Sequence, residues 1–188
     1  MSRQVFNFPS PDRFVVGTVG MPGERTFFLQ ARSGDVLTGV VIEKSQALVL
    51  ADRIDQLLDE VRDTRSPASG IPDSALVADM DTAPLEVPIT QEFRVGAMAL
   101  GWDEASAKVV IEAHASTEEQ SEVPEIADDD APGVDTLRVW LTANQARAFS
   151  ARTRVVCAAG RPPCPFCTQP LDPQGHICPR ANGYRRRS

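Results

Sequence analysis

Three of the four cysteines and one of the two histidines lie close together near the C-terminus. Cys164 and Cys167 have the spacing at which two thiolates of one tight turn reach a single tetrahedral ion. His176 and Cys178 follow and add an imidazole and a third thiolate. The sequence therefore predicts a zinc site of the Cys3His type. Because the protein fills all four positions of such a site, the predicted zinc is structural and not catalytic.

Two further residues could take part in chemistry. Cys157 is the alternative fourth ligand, because a single residue between His176 and Cys178 is a less common spacing than two or more. Its place in the last turns of a predicted helix favours a small buried thiol instead. His114 ends an alternating strand; from the local sequence we assign it no cysteine or carboxylate partner and predict a structural histidine.

The Cys164–Cys167 pair also matches the spacing of a redox dithiol. That chemistry needs the first cysteine at a helix N-terminus, where the helix dipole lowers the thiol pKa. Pro170 and Pro173 follow so closely that a helix of useful length is disfavoured. Metal binding is the favoured interpretation. Residues 161–188 also contain few large apolar side chains, and a structural zinc, whose apparent binding free energy is about 10–16 kcal/mol, would stabilise them.

Residues 1–62 are predicted to form short strands followed by one helix. The strands are alternating or β-branched runs at 4–8, 13–19, 25–31 and 36–43, and they favour a meander. Ser45 is the predicted helix cap. The helix has one apolar stripe, formed by Leu50, Ile54, Leu57, Leu58 and Val61.

Residues 63–90 contain several prolines and few large apolar residues, which is typical of a connection. The pattern then starts again over 91–160. Strands are predicted at 91–98, 107–114 and 135–141. Thr142 and Gln145 have the spacing of a capping box at the start of a second helix.

The second half carries an acidic loop at 116–133, where the first half has a tight turn. Its charge and prolines predict a solvated segment. Alternatively, Asp128, Asp129 and Asp130 hold a cation or bind the Arg185–Arg187 tail. The run lacks the ligand order and central glycine of a helix-loop-helix calcium site, so calcium is not expected.

The two halves also share residues at corresponding positions. Phe14 and Gly17 match Phe93 and Gly96, which indicates an internal duplication. The predicted fold class is α+β, with two pseudo-repeated β-β-β-α units forming one body and a small C-terminal zinc knuckle at 161–188.

Composition limits the partners. The formal charge of −7 and the pI near 4.9 argue against a protein whose whole surface follows nucleic acid or anionic lipid. Five arginines and one aspartate follow Gly160, so the tail is basic. No apolar run approaches the length of a membrane span and no signal peptide is evident, so we expect a cytoplasmic location. Nucleotide-binding, esterase and zincin motifs are missing, and nothing in the sequence supports an enzyme.

Both ends of the chain carry specific runs, Arg13–Gly20 with Pro22–Ala31, and Gly160–Cys167 with Leu171–Tyr184. On these runs the chain resembles an uncharacterised actinobacterial family, a domain of unknown function described as a repeat protein, with a zinc-ribbon-like Cys-x-x-Cys and His-x-Cys motif. Thr168 stands where that family usually has glycine, which leaves the ligands in place. The resemblance supports the fold and the zinc, and implies no activity.

Three functions remain open from the sequence. The first is a non-catalytic zinc-binding scaffold or adaptor with a protein partner. The second is a nucleic-acid-binding protein that uses the knuckle and the arginines Arg180 and Arg185–Arg187; the acidic body argues against it. The third is an enzyme or accessory subunit with a pocket between the repeats.

Overall fold

A computed structural model describes residues 3–64, 70–117, 133–160 and 164–167, together with 178 and 180. Within these residues there are seven strands and two α-helices. They are β1 (Val5–Phe8), β2 (Arg13–Val19), β3 (Thr26–Ser33), β4 (Val36–Ile42), α1 (Lys44–Thr64), β5 (Val95–Asp103), β6 (Lys108–Ala115), β7 (Thr136–Leu141) and α2 (Ala143–Ala158). After β1, the order is three strands and a helix, twice; its origin in a duplication stays a prediction.

The strands form two sheets. β2, β3 and β4 make an antiparallel sheet, and the other strands make a sheet in the order β1-β7-β6-β5. β1 pairs in parallel with β7, Val5 lying opposite Thr136. The prediction that the first short strand belongs to a meander is therefore wrong. The alternation of apolar and polar residues in β1 determines that a strand forms, but not which sheet edge the strand joins. Paired with β7, β1 adds Phe6 and Phe8 to the core.

One apolar core lies between the sheets and the helices. It includes Val16 and Leu29 of the three-stranded sheet, Ile111 and Leu137 of the four-stranded sheet, and residues of both helices. Phe14 of β2 stacks on Phe149 of α2, with ring centroids 4.7 Å apart. Since every element contributes to the same core, the two halves form one body.

The helices follow the predicted patterns. Leu50, Ile54, Leu58 and Val61 of the predicted stripe are buried on α1. α1 begins at Lys44, one residue before the predicted cap, and the Gln46 side chain accepts a hydrogen bond from the backbone N–H of Glu43 at 3.0 Å. The Thr142–Gln145 capping box of α2 is confirmed. No helix in the described part of the chain is both long and apolar enough to cross a membrane.

Residues 85–90 lie against the face of the three-stranded sheet that is turned away from the core. The Gln30 amide exchanges two hydrogen bonds with the backbone of Glu86, at 2.8 and 3.0 Å. A Cβ on Gly17 would lie 2.4 Å from the Leu85 side chain, so only glycine allows this close approach. The predicted connection therefore packs against the body in its described part.

Candidate metal centre

Cys164, Cys167 and Cys178 lie together beyond the end of α2. Their Sγ atoms are all within 4.8 Å of one another, and those of Cys164 and Cys178 are 3.7 Å apart. Sulfurs on a tetrahedral zinc, with Zn–S bonds of about 2.3 Å, are separated by about 3.8 Å. All three cysteines are free, and 3.7 Å is far longer than a disulfide bond. The arrangement suits three ligands of one metal ion, and we call it the thiol cluster.

The environment of the thiol cluster favours thiolates. Cys164 and Cys178 are buried and Cys167 is half-buried. Burial raises the pKa of Cys164, but hydrogen bonds from the backbone N–H groups of Cys167 and Phe166 and from the neighbouring thiols outweigh it and lower that pKa below its ordinary value. A deprotonated sulfur is the form that binds a metal.

The structure places the predicted ligands as follows. It brings three of the four together, and the fourth, His176, lies outside the described residues. Cys157 is not a member of the thiol cluster. Its thiol is buried in the core, and burial raises its pKa. Within the described residues Cys164 precedes a turn at 165–167 rather than a helix, so the helix N-terminus that a redox dithiol needs is missing there.

The turn of the thiol cluster presents an aromatic side chain. Phe166 lies between two of the clustered cysteines and is 60% exposed. Arg180, two residues after Cys178, donates a hydrogen bond from Nη1 to the carbonyl oxygen of Phe166 at 3.3 Å. The turn therefore presents an exposed aromatic ring, with an arginine hydrogen-bonded to the backbone of the same residue.

A second polar group is buried on the four-stranded sheet, away from the shared core. It consists of Glu112 and His114 on β6 and of Thr136 and Arg138 on β7. Arg138 Nε is 2.5 Å from Glu112 Oε1, and His114 Nε2 is 3.2 Å from Glu112 Oε2. The Thr136 hydroxyl is 3.1 Å from His114 Nδ1. Sequence reasoning missed the carboxylate partner of His114, although residues i and i+2 of a strand share a face.

This group has the order carboxylate, imidazole, hydroxyl that activates nucleophiles in hydrolases. Thr136, however, is fully buried, and its hydroxyl donates a hydrogen bond to the carbonyl oxygen of Val134 at 3.0 Å. No substrate could reach that oxygen in this structure. Burial lowers the pKa of His114, Glu112 raises it, and the nearby cations Arg3 and Arg138 lower it further. Because the group is closed to substrate, the arrangement supports the prediction of a structural histidine.

The fold and the thiol cluster together define an α+β protein with a candidate metal centre at its C-terminal end. A family model described as "Protein of unknown function (DUF3090)" matches residues 6–178, nearly the whole chain, so the chain belongs to that family. Searches of curated proteins and of solved structures found no match. The membership confirms the resemblance to a family of unknown function.

Proposed function

We propose that this protein is a non-catalytic zinc-binding adaptor of the cytoplasm. Its two β-β-β-α units form a rigid body, and a structural zinc site holds its C-terminal segment in a shape that a protein partner recognises. The observation that supports this most strongly is the separation of 3.7 Å between the sulfurs of Cys164 and Cys178, close to the edge of a zinc–thiolate tetrahedron.

The choice of zinc follows from the donor set. His176 is the proposed fourth ligand, because its spacing to Cys178 places it next to the thiol cluster in sequence. Three thiolates and one imidazole are a common set for structural zinc, and iron sites of similar shape use four thiolates. With four protein ligands the ion has no open position for water or substrate, which is the reason for a non-catalytic role.

Metal content tests the site directly. We expect the purified full-length protein to contain one zinc per chain by elemental analysis, and cobalt substitution to give the absorption bands of a tetrahedral thiolate site. Cys164→Ala should lose the metal. The matched control, Cys157→Ala, removes the same thiol group outside the cluster and should keep it. Protein without metal, or equal loss in both variants, would refute the zinc assignment.

Removing the metal should release the tail and leave the body folded. The shared core ends at Cys157 and contains no residue of the thiol cluster. We therefore expect chelation to increase hydrogen exchange and proteolysis near Cys164 to Cys178, while the far-UV circular dichroism of the sheets and helices persists. If chelation unfolded the whole chain, the zinc would belong to the core and the proposed architecture would be incorrect.

The proposed contact with a partner involves Phe166 and Arg180. An exposed aromatic side chain with an adjacent cation is typical of the residues that dominate protein interfaces. Proteins that co-purify with the wild type should be lost from both Cys164→Ala and Phe166→Ala. Val155→Ala, which removes an apolar side chain of similar exposure from α2, should keep them. An unchanged set of partners in the Cys164 and Phe166 variants would count against an adaptor that works through this turn.

The same exposed ring and cation could instead stack on and neutralise single-stranded nucleic acid, which is the second candidate. The two functions differ in their dependence on salt. Nucleic-acid binding should weaken steeply between low and physiological salt, and Phe166→Ala should reduce it. The charge of −7 predicts weak binding and favours the adaptor.

A further inference from the structure

A cleft opens where the end of α2 meets the start of α1. Its volume is about 360 Å³, within the range of small-molecule sites. Arg25 and Phe27 line one side, Lys44 lines another, and Cys157 forms part of the floor. The residues come from both halves of the chain, and none of them belongs to the thiol cluster or to the buried polar group on the four-stranded sheet.

The described residues that line this cleft include two cations, Arg25 and Lys44. Among the described residues that line it, none is acidic. Lys44 is exposed, and no hydrogen bond or ion pair involves it within the described part of the chain. Glu43, its neighbour in sequence, is held by Arg94 at 2.5 Å. The ammonium group of Lys44 is therefore available to a ligand.

Arg25 supplies the second, independent observation. Its Nη1 donates a hydrogen bond to the carbonyl oxygen of Ala159 at 2.5 Å, which fixes the side chain against the end of α2. Its Nε is buried and has no hydrogen-bond partner among the described residues. That nitrogen has no surface toward the cleft, so the part of Arg25 that can meet a ligand is the outer end of the guanidinium, which the bond to Ala159 holds at the edge of the cleft.

We infer that this cleft binds a small organic anion, whose phosphate or carboxylate group lies between Lys44 and Arg25 and whose apolar part contacts Phe27. The partial positive charge at the N-terminus of α1 also attracts an anion, since the first turn of that helix contains no acidic residue that would offset it. The Cys157 thiol, whose pKa is raised by burial, stays neutral at physiological pH and does not repel the anion.

Calorimetric titration of the full-length, metal-loaded protein tests this, with inorganic phosphate and succinate as probes at constant low ionic strength. We expect saturable binding of at least one probe at one site per chain. Lys44→Ala should weaken it about tenfold or more, and Lys44→Arg should retain it within about threefold. Arg53→Ala removes an equally exposed cation from the same helix and should leave the affinity unchanged.

A second measurement does not depend on affinity alone. In an NMR titration of isotope-labelled protein, the probe that binds should shift the amide signals of Arg25 and Lys44 and leave that of Arg53 unchanged. The inference is overturned if neither probe binds saturably, or if Lys44→Ala and Arg53→Ala weaken binding equally, since general charge then explains the effect. Failure of this test leaves the zinc proposal intact, because neither variant touches the thiol cluster.

Discussion

The buried pair of Glu112 and Arg138 gives the most quantitative prediction. Glu112 is 0% exposed and Arg138 is 7% exposed, and their closest atoms are 2.5 Å apart. Glu112→Gln preserves the volume of the side chain but removes the carboxylate that pairs with Arg138 Nε. Arg138→Met similarly leaves a buried carboxylate without its cation. Each change removes one member of this ion pair while the other member stays buried.

The expected cost follows from this burial. Removing one partner of a buried ion pair lowers the free energy of unfolding by about 3–5 kcal/mol, because the remaining charge stays desolvated. An exposed pair would cost about 1 kcal/mol or less. A domain has a total stability of about 5–15 kcal/mol, so each single variant should be visibly less stable. Replacing both residues, as in Glu112→Leu with Arg138→Met, should be close to neutral, since no charge is then buried.

Urea unfolding followed by circular dichroism compares the wild type, the two single variants and the double variant. The midpoints of both single variants should fall well below that of the wild type, while the double variant recovers most of the loss. Arg53→Ala, at an exposed position on α1, is a surface control and should lie within about 0.5 kcal/mol of the wild type. If each single variant cost less than about 1 kcal/mol, the pair would behave as a solvated one and the reasoning from burial would be wrong.

Two further predictions concern the body. Burial lowers the pKa of His114 in the folded state below the ordinary value near 6.5, so the unfolded chain binds the proton more readily. The free energy of unfolding should therefore decline as pH falls from about 6.5 towards about 5. His114→Asn should flatten this decline in urea unfolding, and an unchanged slope would contradict the assignment of the decline to His114. Gly17→Ala should lower the free energy of unfolding by about 1–3 kcal/mol, because its Cβ would overlap Leu85. Gly160→Ala, with open space around it, should cost less, and Leu85→Ala should suppress the loss caused by Gly17→Ala. Equal shifts in the thermal unfolding midpoint of both glycine variants would contradict the close packing.

Local patterns predicted much of this protein correctly. The Thr142–Gln145 capping box and the apolar stripe of α1 depend only on spacing along a helix, so they could be read directly. Three of the four predicted ligands lie together, because two of them share one tight turn. The pairing of β1 with β7 could not be predicted from the sequence, since the alternation of residues along a strand carries no information about the neighbouring strand.

The partners of individual side chains were the main omission. His114 was assigned no carboxylate partner, although Glu112 stands two residues earlier on the same strand face. The packing of Leu85 on Gly17 and the Gln30 hydrogen bonds to the backbone at Glu86 join segments far apart in sequence. In sequence, Gly17 resembles any strand glycine. The reason that position 17 requires glycine is the close approach of another segment, which only the three-dimensional structure shows.

The sequence by itself identified Cys164, Cys167 and Cys178 as candidate metal ligands, because residue type and spacing along the chain are local properties. For Cys157 the sequence favoured a buried thiol but left a ligand role open, and the tertiary structure placed it in the core and outside the thiol cluster. It also placed Arg25 and Lys44 around one cleft, and buried Glu112 with Arg138. The physical reason is the same in each case: burial and charge pairing depend on which segments pack together, and that is a property of the folded chain.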